Sequence, residues 1–264
     1  MMHSNKSIIY LLFITLIFSS CEKVIDLKLN PSDSRLVIEA KMTNELGSCV
    51  VKLSRVINYD QANNYPKISN AIVSIDDNGT TYLLTETSAG IYTKEDLQGV
   101  PGHRYTLKVL VDGDEYTSTC IMPTMVQIDS LYSKYEVFFI DTNLTTYVAY
   151  QDPSGERNYY RFILSIANTV SDGFLLDNDT FYDGQYAEQN LFSFNSAYSS
   201  GDTIKVELWS IDAAIYKYFS TLSSIIGGQS GQLAAPANPS SNINGGAMGY
   251  FNVYGVSRRE TLVP

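Results

Sequence analysis

Histidine, tryptophan and cysteine are all scarce in this chain of 264 residues, which has 2 histidines, 1 tryptophan and 3 cysteines. Beyond the N-terminal segment only His103 is left to serve a catalytic triad, and no G-x-S-x-G or S-x-x-K motif accompanies it. Sites that bind zinc or iron through several histidines are excluded by count. Glycine loops of the P-loop and G-x-G-x-x-G types are missing as well. These absences predict a protein that is not an enzyme, with a carboxylate-based hydrolase as the remote alternative.

Positive charge is also in short supply. The chain has 18 Lys and Arg against 28 Asp and Glu, which gives a formal net charge of −10. This excess of negative charge argues against binding to nucleic acid and against electrostatic attachment to a membrane surface. Hydrophobic residues make up 44% and charged residues 17% of the chain, as in globular proteins. With 20 tyrosines and few long helical patterns, the composition favours a β-rich fold.

The longest apolar run lies near the N-terminus. Residues 8–18 are uncharged, and the run is too short to cross about 30 Å of hydrocarbon at roughly 1.5 Å per residue. Lys6 precedes the run, and the small residues Ser19 and Ser20 lead directly to Cys21. This pattern is typical of a lipobox, so we predict removal of residues 1–20 and lipidation of Cys21. An ordinary secretory signal with an incidental cysteine is the alternative.

Turn signals divide the rest of the chain into short strands. Asn78-Gly79 and Asp112-Gly113 each predict a two-residue hairpin turn, because these dipeptides accept a positive φ. The strands that they join are residues 72–77 with 80–85 and residues 105–111 with 114–121. Seven short strands before Met122 are typical of a β-sandwich of immunoglobulin-like or transthyretin-like type.

We therefore predict a mainly β protein in several parts. Residues 21–34 are polar and form a lipidated tether, and residues 35–123 form the immunoglobulin-like sandwich. Met122-Pro123 marks a boundary, after which residues 124–264 form a second β-rich domain. This second domain has one helix near residues 212–226. The helix has Asp212 as its N-cap and an apolar stripe made of Ile215, Phe219, Leu222 and Ile226.

The second hairpin also predicts where two cysteines point. A two-residue loop at Asp112-Gly113 places Tyr105 opposite Cys120, and the alternation of the strand turns both side chains inward. Cys49 shares an inward face with Val51 by the same rule. Two inward cysteines in an exported domain form either a disulfide between Cys49 and Cys120 or two buried free thiols.

The segment around residue 180 has the densest cluster of candidate oxygen ligands. Calcium binds carboxylate and carbonyl oxygens from such loops, so Asp177, Asp179 and Asp183 are candidate ligands, although turn aspartates often bond only their own backbone. No other cofactor is predicted. Three aromatic side chains lie in the same segment and are candidates for stacking on a sugar or contacting a partner, with packing as the alternative. They are Phe181, Tyr182 and Tyr186.

Several short segments resemble a family of Bacteroidota lipoproteins known as domain of unknown function 4249. The resemblance covers essentially the whole mature chain. It rests on residues 21–27, 36–40, 51–55, 97–102, 128–131, 152–153, 183–184 and 245–251. Two further tripeptides resemble the short Asp-Ser/Thr-apolar sites of Bacteroidota O-glycosylation. They place candidate glycosylation at Ser130 and Thr203.

The resemblance implies a lipoprotein of the outer membrane, often found beside TonB-dependent receptors, and it brings no reaction or ligand. We therefore expect a non-catalytic protein held on the outer membrane through Cys21, facing the periplasm or exposed on the surface. Its expected role is that of an accessory or binding subunit of a TonB-dependent β-barrel transporter. A free-standing glycan-binding or adhesive lipoprotein is the alternative.

Overall fold

The structure is a computed structural model, and it describes residues 35–57, 64–138, 141–171, 173–191, 199–226 and 238–263. All of these belong to one compact unit, Asp33–Pro264. The predicted signal peptide, Cys21 and the tether lie outside the described residues. The mainly β prediction with one helix is confirmed for the described part of the chain. None of its helices is long and apolar enough to cross a membrane.

The described elements are sixteen strands, one α-helix and a single 3-10 turn. The strands are β1 (Leu36–Thr43), β2 (Cys49–Arg55), β3 (Ile72–Asp77), β4 (Thr80–Leu83), β5 (Thr85–Ser88), β6 (Ile91–Lys94), β7 (Arg104–Val111), β8 (Asp114–Ile121), β9 (Ser130–Phe138), β10 (Asp141–Gln151), β11 (Tyr159–Ile166), β12 (Thr169–Val170), β13 (Leu175–Asn178), β14 (Tyr186–Asn190), β15 (Thr203–Ile211) and β16 (Met248–Leu262). The helix is α1 (Ala213–Ile226), and the 3-10 turn is Asp179–Phe181. They form a nine-stranded, a four-stranded and a three-stranded sheet.

Both predicted hairpins are present. Asn78-Gly79 joins β3 to β4, and Asp112-Gly113 joins β7 to β8. All four turn residues have a positive φ, between 48° and 96°. In the second hairpin Tyr105 lies opposite Cys120, so the register that the sequence predicted is confirmed. Local turn chemistry was sufficient here because the loop length fixes the register of both strands.

The first half of the described chain is sandwich-like. Its four-stranded sheet runs in the order β4-β3-β7-β8, and the strands β1, β2, β6 and β5 belong to the nine-stranded sheet. The inward side chains of the two sheets share one hydrophobic cluster, which includes Ile38, Val51 and Leu107. Cys49 and Cys120 both lie in this cluster, and both are free thiols. The structure therefore has the second of the two arrangements that the sequence left open.

The free thiols lead to a labelling prediction. Burial raises the pKa of Cys49 to about 12 and also raises the pKa of Cys120, whose thiol donates a hydrogen bond to the carbonyl oxygen of Phe251 at 3.0 Å. Because the thiolate is the reactive form, neither cysteine should react with a thiol reagent in the folded protein at neutral pH. Both should react after denaturation without reductant. If the denatured, unreduced protein had no reactive thiol at these positions, a disulfide would be present instead.

The second half has its own core. The three-stranded sheet, in the order β14-β10-β9, contributes inward side chains such as Val148 and Tyr150 to a cluster with Phe162 of β11 and Val206 of β15. Phe162, Leu164 and Ile166 alternate along β11 with less buried residues, and all three are buried in this core. This core is separate from the first one, to which β16 contributes Phe251 and Val253.

Helix α1 packs on an aromatic cluster beside β11 and β16. Asp212 caps it, since its side chain accepts a hydrogen bond from the backbone N–H of Ile215 at 2.8 Å, and this prediction is confirmed. Ile215 and Phe219 are buried, but Ile226 is exposed because the last turn extends past the cluster. The Arg161 guanidinium lies 3.8 Å from the centre of the Phe219 ring, which extends the packing through a cation–π contact.

Strand β16 connects the two halves. Its first part pairs in parallel with β1, from Val37 opposite Met248 to Thr43 opposite Tyr254. Its second part pairs antiparallel with β15 as far as Leu262. The nine-stranded sheet is therefore continuous across the predicted boundary at Pro123, and the exact domain limits stay a prediction.

Candidate functional site

Four short segments meet where β10 ends and β14 begins. Asp152 directly follows β10, and Asp183 and Gly184 come just before β14. The turn after Asp152 is hydrogen-bonded to Asp183 through Gly155 and to the 3-10 turn Asp179–Phe181 through Asn158. Polar side chains from distant parts of the sequence are thereby gathered at one end of the three-stranded sheet.

Asp152 is the buried anchor of this region, with 1% of its surface exposed. Its carboxylate accepts a hydrogen bond from the Tyr160 hydroxyl at one oxygen and from the backbone N–H of Gly184 at the other, at 2.9 Å. A side chain at residue 184 is excluded by space, because a Cβ there would lie 2.6 Å from the Cβ of Ser154. The negative charge of Asp152 and the absence of a side chain at Gly184 together fix the entry to β14.

Asp179 is equally buried, also with 1% of its surface exposed. Its Oδ2 accepts hydrogen bonds from the backbone N–H of Asn158 at 2.8 Å and from the Asn158 side-chain amide at 3.3 Å. Its Oδ1 is buried and accepts no hydrogen bond in the structure. The Arg157 Nε lies 3.5 Å from this oxygen, and the Arg157 side chain is 54% exposed. Asp179 thus has one oxygen held by the chain and one facing only an exposed cation.

Asp183 completes an acidic cluster, which we define as Asp152, Asp179 and Asp183. Asp183 is exposed, and its Oδ1 accepts a hydrogen bond from the backbone N–H of Gly155 at 2.9 Å. One carboxylate oxygen from each member lies within 4.8 Å of the other two. Asp179 and Asp183 also line an open cavity of about 240 Å³ together with Glu156, Arg157 and Thr180. The carboxylate and hydroxyl oxygens of this cavity can hold a cation, for which the Arg157 guanidinium is a competitor.

The predicted calcium ligands need one correction. The structure brings together Asp179 and Asp183, but it does not bring Asp177 to them. The Asp177 carboxylate instead accepts hydrogen bonds from the hydroxyls of Tyr182 at 2.6 Å and Tyr150 at 3.4 Å. Asp152 takes its place, 25 residues before Asp177 in the sequence. The only sequence signal for Asp152 was its position in an Asp-Pro turn directly after a strand.

The three predicted aromatic residues have different surroundings. Phe181 is 93% exposed, and Tyr186 is exposed on β14. Tyr182 is half-buried, and its hydroxyl lies between Asp177 and Tyr150, so it is part of the packing. Burial and the hydrogen bond to Asp177 raise the pKa of Tyr182. Phe181 and Tyr186 therefore remain available for contact with a ligand or partner, and Tyr182 does not.

A second feature lies on the outer side of the three-stranded sheet. Tyr132 of β9 is opposite Tyr147 of β10, and their rings stack at 5.4 Å between centroids with 13° between planes. The Tyr132 hydroxyl donates to Glu188 at 2.7 Å, and the Tyr147 hydroxyl donates to Glu136 at 2.6 Å. The strand register places Tyr186 on this same side. We call this surface the tyrosine face, made of Tyr132, Tyr147, Tyr186, Glu136 and Glu188.

The tyrosine face is ordered by its own polar contacts. The hydrogen bond from Tyr147 lowers the pKa of Glu136, and the bonds to Glu188 and Glu136 raise the pKa values of Tyr132 and Tyr147. Lys134 lies over the Tyr147 ring, with its Nζ 4.3 Å from the centroid. Tyr132 and Tyr147 are not among the residues that the sequence predicted for binding. Their alternation with inward residues such as Leu131 and Val148 was the available signal.

The remaining candidates lie elsewhere. His103 precedes β7, and its Nδ1 lies 2.7 Å from Asp77 Oδ1. Ser130 and Thr203 are half-buried at the starts of β9 and β15, opposite Ala149 and Leu262. Their glycosylation stays a prediction. The acidic cluster and the tyrosine face both lie at the three-stranded sheet, and they gather the polar and aromatic side chains that suit binding.

The chain matches a known protein family. No curated protein matches the chain. A family described as a domain of unknown function, DUF4249, matches residues 22–260. Because this match covers most of the 264 residues, the chain belongs to the DUF4249 family.

Proposed function

We propose that the protein is a non-catalytic lipoprotein of the outer membrane that binds a partner through its tyrosine face. Cys21 would carry the lipid anchor, and the partner would be a TonB-dependent β-barrel transporter, for which the protein acts as an accessory subunit. The lipobox and the family resemblance support the location. The single observation that carries the binding role is the outward cluster of tyrosines and carboxylates on β9, β10 and β14.

The tyrosine face has the chemistry of a contact surface. Tyrosine is enriched at protein interfaces because its ring offers a large apolar area and its hydroxyl a polar end. The hydroxyls of Tyr132 and Tyr147 are already held by Glu188 and Glu136, so less side-chain entropy is lost when a partner binds. The carboxylates favour a partner with basic or amide groups at its surface.

Purification from solubilised outer membrane tests the proposal. The full chain, with Cys21 intact and a C-terminal tag, should recover a β-barrel receptor in a stoichiometric amount. Replacing Tyr132, Tyr147 and Tyr186 together with serine should reduce that recovery at least tenfold, since a few aromatic anchors carry most of the binding energy. Tyr135→Ser is the matched control, because Tyr135 is exposed on the same strand but belongs to its opposite side.

A clean monomer in mild detergent would contradict the transporter role.

The second candidate, glycan binding, is favoured by the near-parallel rings of Tyr132 and Tyr147, which suit stacking on a sugar. That role predicts retention of the full chain on a glycan array and its weakening by Tyr186→Ala. Equal retention of the variant would count against the tyrosine face as the binding surface.

A further inference from the structure

We propose that the acidic cluster is a binding site for a divalent cation, with calcium as the ion that suits it. The proposal concerns Asp152, Asp179 and Asp183 and does not depend on the partner of the tyrosine face. All candidate ligands are oxygens, which hard cations such as calcium prefer. The described residues that line the cavity include no cysteine and no histidine.

The acidic cluster concentrates negative charge. Asp152 and Asp179 are both 1% exposed, and with Asp183 they bring three carboxylates together. Carboxylates gathered in a buried position repel one another unless positive charge lies close to them. Arg157 supplies one positive charge, at 3.5 Å from Asp179, and its side chain is 54% exposed. One largely solvated guanidinium leaves the cluster with an excess of negative charge that a divalent cation would balance.

One carboxylate oxygen of Asp179 lacks a hydrogen-bond partner. Its Oδ1 is buried without a hydrogen bond, although the great majority of buried polar atoms have a hydrogen-bond partner. The other oxygen of the same carboxylate is bonded twice by Asn158, which fixes the direction in which Oδ1 points. Asp179 also lines the cavity that Asp183 and Thr180 border. A cation in this cavity would supply the missing partner of Oδ1.

The spacing of the three carboxylate oxygens fits a calcium ion. Calcium binds oxygens at about 2.3–2.6 Å, so two ligands of one ion lie at most about 5 Å apart. The three carboxylate oxygens lie within 4.8 Å of one another, which meets this limit. Each carboxylate is also held by a donor outside the cluster: Tyr160 for Asp152, Asn158 for Asp179 and Gly155 for Asp183. Ligands oriented in this way before the ion arrives are typical of metal sites.

The site would fasten several segments together. Asp152 directly follows β10, Asp183 leads into β14, and Asp179 begins the 3-10 turn between β13 and β14. An ion bound to all three would add a link between β10 and β14, which carry Tyr147 and Tyr186. It would also compete with Arg157, because both would neutralise the same oxygen of Asp179.

The test compares the full chain after treatment with a chelator and after addition of calcium. At a calcium concentration one hundred times the dissociation constant, the thermal midpoint should rise by roughly 5–10 °C. Terbium, a luminescent substitute for calcium, should emit when tyrosine is excited, because Tyr160 donates a hydrogen bond to Asp152 and so lies beside the site. Added calcium should displace the terbium ion and reduce this emission. Asp179→Asn should abolish both effects. Asp183→Asn should weaken them at least tenfold, and its exposed position makes loss of folding a minor concern.

Two further variants separate cation binding from simple charge balance by arginine. Asp177→Asn removes a carboxylate from the same segment but outside the cluster, so the calcium effect should persist. Arg157→Gln removes the competing cation and should tighten calcium binding severalfold. Equal midpoints with chelator and calcium, together with no terbium emission in the wild type, would overturn the proposal. So would an undiminished calcium effect in Asp179→Asn.

Discussion

Gly249→Ala is expected to destabilise both halves of the protein together. Gly249 has a φ of 97°, and a Cβ at this position would overlap the carbonyl oxygen of Ile38 on β1. Ile38 is fully buried and pairs with Leu53 of β2, so β1 cannot move aside without disturbing the first core. Steric overlap with a buried backbone and an unfavourable φ act together, and we expect a loss of about 4 kcal/mol or more.

Urea denaturation of the purified chain measures this loss, and Gly113→Ala is its control. Gly113 has a nearly identical φ of 95°, but no atom lies within 4 Å of its added Cβ. The control should therefore lose only about 1 kcal/mol, the usual cost of alanine in this backbone conformation. A similar loss in both variants would show that the close approach of β16 to β1 does not limit residue 249.

Asp152→Ala is expected to have the second-largest effect. The substitution removes the acceptor of two donors, the buried Tyr160 hydroxyl and the half-buried backbone N–H of Gly184. An unsatisfied buried donor costs about 1–3 kcal/mol, and the variant also leaves a cavity, so we expect a loss of roughly 3–5 kcal/mol. Since a domain is stable by only about 5–15 kcal/mol, this is a large fraction of the total.

The measurement is made in the presence of a chelator, so that the hydrogen bonds alone are tested. Asp183→Ala is the control, because its exposed carboxylate bonds only one backbone N–H, and the expected loss is below about 1 kcal/mol. Tyr160→Phe, combined with Asp152→Ala in a double-mutant cycle, isolates the bond between the two side chains. Additive effects of the two substitutions would contradict the role given to that bond.

Local features of the sequence were sufficient to predict much of the fold. The positive φ values that Asn78-Gly79 and Asp112-Gly113 accept determined two hairpins and the register of β7 against β8. Asp212 and the spacing of Ile215 and Phe219 determined helix α1. Each of these depends on residues close together in the chain, where turn, cap and alternation rules apply directly.

Contacts between distant segments were not predicted. Nothing near Met248 indicates that it will pair in parallel with Val37, because parallel pairing leaves no turn signal between the strands. Asp152 was not predicted as a ligand either, because its hydrogen bonds to Tyr160 and Gly184 form only when the chain has folded. Asp177 was selected for its position in the sequence, but its side chain bonds Tyr182. The ligand set of a site assembled from separate loops follows from the three-dimensional arrangement.

The position of β16 also bears on when this protein can fold. Strand β1 is synthesised early, yet one of its two neighbours is made of residues 248–254, which leave the ribosome more than two hundred residues later. Until then one edge of β1 has no partner, and one edge of β15 also lacks its pairing with β16. Pairing between such distant residues slows folding. The nine-stranded sheet therefore cannot be completed until β16 has been synthesised, although the four-stranded sheet and the pairing of β1 with β2 do not depend on that strand.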